Sequence, residues 1–148
     1  MTEEQRTAAV PMVLVVDDNE LVRRFVVYTL HALGYAATTA NSAEEAIDIV
    51  ENNPSLRVLV SDLSLGPISG ADLARKALRN RPDLKVVFMA DPSEEIPFRH
   101  TDPFLIKPFN LYQLRIAVEA ALAEENSLIP LTNGERRRIA SSQICEVP

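Results

Sequence analysis

Cysteine is all but missing from this chain: of its 148 residues only Cys145 carries a thiol, and it lies near the end of the sequence. A single thiol excludes an internal disulfide and leaves no thiolate set for a structural metal. Glycine is scarce, with four residues in all. No uninterrupted apolar run approaches the roughly 18 residues that a membrane span requires. The opening stretch MTEEQRTAAV is polar and acidic where a secretory signal would be basic and then apolar, so a cytoplasmic location and no membrane partner are expected. Positive charge is also short. The net charge is −6 and the basic run Arg136 to Arg138 is brief, whereas neutralising phosphates needs a basic face, so no nucleic-acid partner is expected.

What the chain does have is apolar content, 47% of its residues, enough for one core. Strand and helix signals alternate along it. Val13 to Val16 is a short buried-strand run. Asn19 can cap a helix reaching about Leu33, with Leu21, Phe25, Tyr28 and Leu30 partly tracing an apolar stripe and Gly34 ending it. Tyr35 to Ala40 reads as a weak second strand. Ser42 and Glu45 form a capping box opening a helix that turns Ala46, Ile47 and Ile49 or Val50 inward and stops at Asn53-Pro54. RVLVS, Arg57 to Ser61, is a third strand, and ADLARKALRN after Gly70 is a helix closed by Arg81-Pro82. LKVVFM, Leu84 to Met89, is a fourth strand and Phe104 to Ile106 a short fifth. Leu111 to Glu124 then carries a helical period at Leu111, Leu114, Val118 and Leu122. Such alternation implies crossover connections, hence a mostly parallel, doubly wound α/β sheet. One domain over 12–125 is expected, with an N-terminal extension (1–11) and a C-terminal tail (126–148) that has the makings of a short helix.

In open parallel sheets, sites form beyond the carboxyl ends of the strands, and acids cluster there. Asp17 and Asp18 follow the first strand, Asp62 the third, and Asp91 lies just past the fourth. An Asp after a strand is commonly only a cap for the next helix. That does not explain why two acids stand side by side. Three carboxylates at one sheet edge suit a hard divalent cation, and oxygen-only ligation points to Mg2+ over zinc. Lys107, after the fifth strand in FLIKPFN, would place an ammonium at the same edge, as a point charge for a phosphoryl oxygen.

The order VLVVDD, then VLVSDLSLGPISG, then FLIKPF resembles the response-regulator receiver domain of bacterial two-component signalling, over about Met12 to Glu124. The resemblance implies a flavodoxin-like (β/α)5 fold of five strands in the order 2-1-3-4-5. It implies that a histidine kinase or histidine phosphotransfer protein donates a phosphoryl group to Asp62. Asp17 and Asp18 match the acidic pair that holds Mg2+ together with Asp62 and the backbone carbonyl of Ser64, and Lys107 matches the lysine that contacts the phosphoryl group. The chemistry agrees: neutralising the transferring group lets an anionic carboxylate attack an anionic donor.

Two departures stand out. The Thr or Ser that usually ends the fourth strand, and whose hydroxyl contacts the phosphoryl group, is Ala90 here; a methyl group donates no hydrogen bond. Either Ser93 supplies a displaced hydroxyl, or phosphorylation is read out more weakly or by another route, and the second is the expectation. The segment DPSEEIPFRHTDP between Ala90 and Phe104 carries three prolines where the family fits a helix, so that helix is expected to be short or absent. Phe104 matches the switch aromatic of the family, and simple core packing is its other reading. Beyond Glu125 no output domain is expected. The tail either is a frayed terminus or docks through Leu128, Ile129, Leu131 and Ile139.

The leading reading is a stand-alone phosphoacceptor that signals by contact with a downstream protein or as a homodimer. It would not be an enzyme beyond accepting phosphoryl from small donors and losing it again. A receiver-like interaction module that signals independently of phosphorylation is the second reading, and a small Mg2+-dependent phosphatase with Asp62 as nucleophile the third.

Overall fold

Continuous apolar runs, rather than alternating ones, mark strands covered on both faces, and the runs in this chain form such a sheet. The computed structural model describes residues 11–94 and 103–123. Its elements are β1 (Met12–Val16), α1 (Glu20–Ala32), β2 (Ala36–Ala40), α2 (Ala43–Asn52), β3 (Leu56–Asp62), α3 (Gly70–Asn80), β4 (Lys85–Ala90), β5 (Phe104–Ile106) and α4 (Leu111–Ala123). All four strand pairings are parallel, and the order is β2-β1-β3-β4-β5, as expected from the resemblance.

Alternate side chains of each strand feed two separate cores. Leu14, Val16, Leu59, Phe88 and Ala90 face α2 and α3, where Ala46, Val50, Leu73 and Ala77 meet them. Val13, Val15, Val58, Val60, Val87 and Met89 face α1 and α4, against Val26, Leu30, Leu114 and Val118. Full burial of one Val or Leu side chain contributes about 1.5–3 kcal/mol, more than the roughly 1 kcal/mol of a helix cap. Packing therefore sets the layers, and caps set where the helices begin.

The caps fall where the sequence places them. The Asn19 side chain accepts the amides of Leu21 (2.8 Å) and Val22 (3.3 Å). Ser42 accepts the Glu45 amide at 3.2 Å, while the Glu45 carboxylate reaches one residue further back than in the usual box, to the amide of Asn41 (2.9 Å). Gly34, at φ 96°, ends α1 in the left-handed conformation that suits glycine.

The apolar stripe of α1 needs correction. Leu21 and Tyr28 are about three-quarters exposed and Phe25 nearly half, while Val26, Thr29 and Leu30 are buried. The seam laid on the sheet runs through Val22, Val26 and Leu30, so Leu30 faces the core as expected while Leu21, Phe25 and Tyr28 lie one position round the helix from it. Leu111 likewise lies outside the core, at the exposed start of α4.

After β4 the chain turns at residues 91–94, closed by the Glu94 amide donating to the Asp91 carbonyl at 3.0 Å. The rest of the segment expected to lack a full helix, residues 95–102, lies outside the described residues, as do residues 1–10 and the tail from 124 onward, with its suggested anchors. Among the described residues no helix is long and apolar enough to cross a membrane.

Candidate functional site

With every strand parallel, the chain ends of β1, β3, β4 and β5 open onto one edge of the sheet, and that edge collects Asp17, Asp18, Asp62, Ser64, Ala90 and Lys107.

Asp17 is the most deeply placed, with no solvent exposure. A buried carboxylate costs several kcal/mol unless it is paired and hydrogen-bonded, and each of its oxygens is. Oδ1 accepts the Asn19 amide at 2.8 Å, and Oδ2 accepts the Lys107 ammonium at 2.9 Å. The Asp17 carbonyl in turn accepts the Arg23 guanidinium at 2.6 Å, tying the β1 exit to the first turns of α1.

Asp62 is buried as well. One carboxylate oxygen accepts the Ser64 amide at 3.3 Å and the other lies 3.3 Å from Lys107 Nζ. Burial, then the nearby charge of Asp17, pushes its carboxyl above the usual range, against the opposing pull of Lys107 and the Ser64 amide. For Lys107, burial works to lower the ammonium, but its bond to Asp17 and the charges of Asp17 and Asp62 together raise it. One lysine thus bridges the acids of β1 and β3. It leaves β5 with its own amide bonded to the Ala90 carbonyl at 2.8 Å and precedes Pro108 across a cis peptide bond.

Asp18 is the exposed third acid. One oxygen from each of Asp17, Asp18 and Asp62 lies within 4.8 Å of the others. Three carboxylates facing one ammonium leave excess negative charge, and an all-oxygen donor set of that span fits a hard divalent ion such as Mg2+. The residues present therefore fit the expected metal.

The site's floor depends on Gly70. A Cβ there would stand 2.1 Å from the Asp62 carbonyl oxygen, so only glycine lets α3 start against the end of β3. The Gly70 amide donates to the Leu63 carbonyl at 2.8 Å, fixing the loop that carries Ser64.

Of the switch positions, Ala90 is wholly buried, Phe104 is partly buried against the core beneath α2 and α3, and Ser93 is exposed on the turn. The hydroxyl engaged at the mouth of the site is that of Ser64. It donates to the Glu94 carboxylate at 2.5 Å, and the other Glu94 oxygen accepts the Asp91 amide at 2.8 Å. The Ser64 bond, the Asp91 amide and the charge of Lys107 hold Glu94 below the usual carboxylate range, although slight burial works the other way.

Sequence reasoning did not single out Glu94 or Arg23. Glu94 lies in an irregular proline-rich stretch with no period to aim it. Arg23 had a signal, standing one turn into a helix that begins just past an acidic pair.

Beside the acids lies an apolar surface. Leu21, Phe25 and Tyr28 line the outer side of α1, and Phe25 meets Phe109 with ring centroids 5.9 Å apart. Exposed Leu111 and Tyr112 follow Phe109.

Comparison with known proteins agrees with this fold. A family model described as the response regulator receiver domain matches residues 13–119. The response regulator receiver protein CpdR of Brucella abortus is 30% identical over 75% of this chain and 95% of its own length. The sensor kinase CckA of the same organism is 32% identical over 77% of this chain, but the match spans only 13% of that protein. The phosphate regulon transcriptional regulatory protein PhoB of Rhizobium meliloti is 32% identical over 76% of this chain and 52% of its own length. Among solved structures, a response regulator receiver domain protein from Clostridium thermocellum superposes with a TM-score of 0.71 at 23% identity, covering 81% of this chain and all of that one. A response regulator receiver protein from Pseudomonas putida superposes at 0.65 with 28% identity, covering 76% and 98%.

Proposed function

Since this chain belongs to the response-regulator receiver family, we propose that it accepts a phosphoryl group on Asp62 and signals through protein contact. The observation that carries this reading is the bridging of Asp17 and Asp62 by the Lys107 ammonium, at 2.9 and 3.3 Å, beside the acid trio. A structural salt bridge would need neither the second acid nor exposed Asp18.

A carboxylate oxygen of Asp62 attacks the phosphorus of a phosphohistidine on a histidine kinase or phosphotransfer protein. The O–P bond forms as the P–N bond breaks, and the electron pair leaves with the imidazole nitrogen. Lys107 holds charge on a phosphoryl oxygen, and the Ser64 amide steadies the acceptor. Asp17, Asp18, Asp62 and the Ser64 carbonyl would hold Mg2+, which when bound neutralises phosphoryl oxygens. The apolar surface of Leu21, Phe25 and Tyr28 supports a protein partner, because contiguous exposed apolar groups on a soluble domain mark contact sites. A cytoplasmic setting, where such donors work, completes the reading, and turnover is limited to slow loss of the phosphoryl group to water.

Ala90 favours a second reading, a receiver-like module that contacts its partner whether or not Asp62 is modified. One experiment separates them. Intact mass is measured after incubation with Mg2+ and acetyl phosphate, for the wild type, Asp62→Asn and a chelator control. A gain of one phosphoryl group in the wild type alone is expected. No gain under conditions that label an ordinary receiver would favour the module.

A further inference from the structure

Ser64 follows the acceptor at the exit of β3, and Glu94 lies on the turn at the exit of β4. Between them runs the shortest hydrogen bond at the mouth of the site, 2.5 Å from the Ser64 hydroxyl to the Glu94 carboxylate. The same carboxylate accepts the Asp91 amide at 2.8 Å, and the turn is closed again by the Glu94 amide on the Asp91 carbonyl at 3.0 Å. One anionic side chain therefore ties the two strand exits together beside the residue whose amide holds Asp62.

This carboxylate stands where new negative charge would arrive. Asp62 gains additional charge when it takes a phosphoryl group, and Ser64 links the two acids, its amide on Asp62 at 3.3 Å and its hydroxyl on Glu94, so the new charge arrives one residue's reach from Glu94, where like charges repel. Lys107, whose charge now reaches Glu94, would be drawn to the phosphoryl oxygens instead. The Ser64 hydroxyl has one proton to donate, so giving it to a phosphoryl oxygen takes it from Glu94. Repulsion and competition act in the same direction.

We propose that Glu94 is a charge-operated latch: it closes the 91–94 turn onto Ser64 while Asp62 is free, and phosphorylation of Asp62 drives it off and opens the turn. A hydroxyl at position 90 would pull the following loop inward. In this chain Ala90 offers none, and the signal leaves by expulsion from the neighbouring turn. The latch rests on Asp62 being the acceptor, as proposed above, and needs no movement of Ala90 itself.

The test reads the two amides that the latch protects, those of Asp91 and Glu94, by hydrogen exchange in the full chain. Wild type, Asp62→Asn and Glu94→Gln are compared with Mg2+, before and after acetyl phosphate, with occupancy read as intact mass on the same samples. In phosphorylated wild type both amides exchange about tenfold faster, and in Glu94→Gln phosphorylation produces no such acceleration. Asp62→Asn, which cannot carry the phosphoryl group, shows no acceleration at these amides with acetyl phosphate. Unchanged or slower exchange in wild type whose mass shows the phosphoryl group would overturn the latch, as would full acceleration in Glu94→Gln. If no sample gains mass, the acceptor reading fails. The latch, which rests on that reading, then falls with it, whereas a gain of mass without acceleration overturns the latch alone.

Discussion

Lys107 is the residue on which the site's charge balance turns. It is the ammonium bonded to a carboxylate with no solvent exposure, at 2.9 Å, and it also faces Asp62 at 3.3 Å. Removing one partner of such a pair leaves an uncompensated buried charge, so Lys107→Met should lose about 3 kcal/mol of stability in metal-free urea unfolding, and added Mg2+ should recover part of that loss. A loss below about 0.5 kcal/mol would mean that Asp17 is stabilised chiefly by the Asn19 amide. Asp62 predicts a pH dependence. Burial and Asp17 raise its carboxyl in the folded protein, so its contribution to stability is present below the ordinary carboxylate range and is lost as pH rises through the raised folded value. The same proton competes with a cation. Mg2+ affinity measured by calorimetry should fall about tenfold per pH unit below that value, and an affinity independent of pH there would contradict the metal role of Asp62.

At the scale of elements, α3 is held against β3 by an approach that only glycine permits. With a Cβ at position 70 set 2.1 Å from the Asp62 carbonyl, Gly70→Ala should cost about 1–3 kcal/mol and weaken Mg2+ binding by shifting the Asp62 loop. Unchanged melting and affinity would show that the loop yields freely. Helix α1 carries the opposite kind of prediction. Leu21→Ser with Tyr28→Ser, both on its exposed side, should change stability by no more than about 0.5 kcal/mol. The pair should still slow phosphotransfer from a protein donor while leaving the reaction with acetyl phosphate unchanged, and equal slowing with both donors would place these residues in the site rather than in the partner contact. Elements were legible in the sequence to within a residue or two, because runs such as Val13 to Val16 bury both faces and caps such as Asn19 and Ser42 announce helix starts. The facing of α1 was not legible. Leu21, Phe25 and Tyr28 mimic a core stripe, and only the position of the sheet shows that Val22, Val26 and Leu30 form the buried seam.

For the whole molecule, parallel winding does the assembling. It carries acids far apart in sequence to one edge and brings Lys107 to Asp17, ninety residues away. That convergence is legible in the amino-acid sequence, since each acid ends or follows an apolar run and parallel winding sends all such ends to one side. The rim is not legible there. Glu94 meets Ser64 through an irregular turn whose course depends on tertiary placement, and no periodicity predicts such a contact. If this one edge serves to place a phosphoryl group on Asp62, the acyl phosphate can be trapped chemically. Protein treated with Mg2+ and acetyl phosphate is reduced with borohydride, which turns a phosphorylated aspartate into homoserine, and the product is located by peptide sequencing in the mass spectrometer. Homoserine at position 62, and no reduction at Asp17 or Asp18, is the predicted result. Homoserine at another acid, or a phosphoryl mass gain with Asp62 intact, would contradict it.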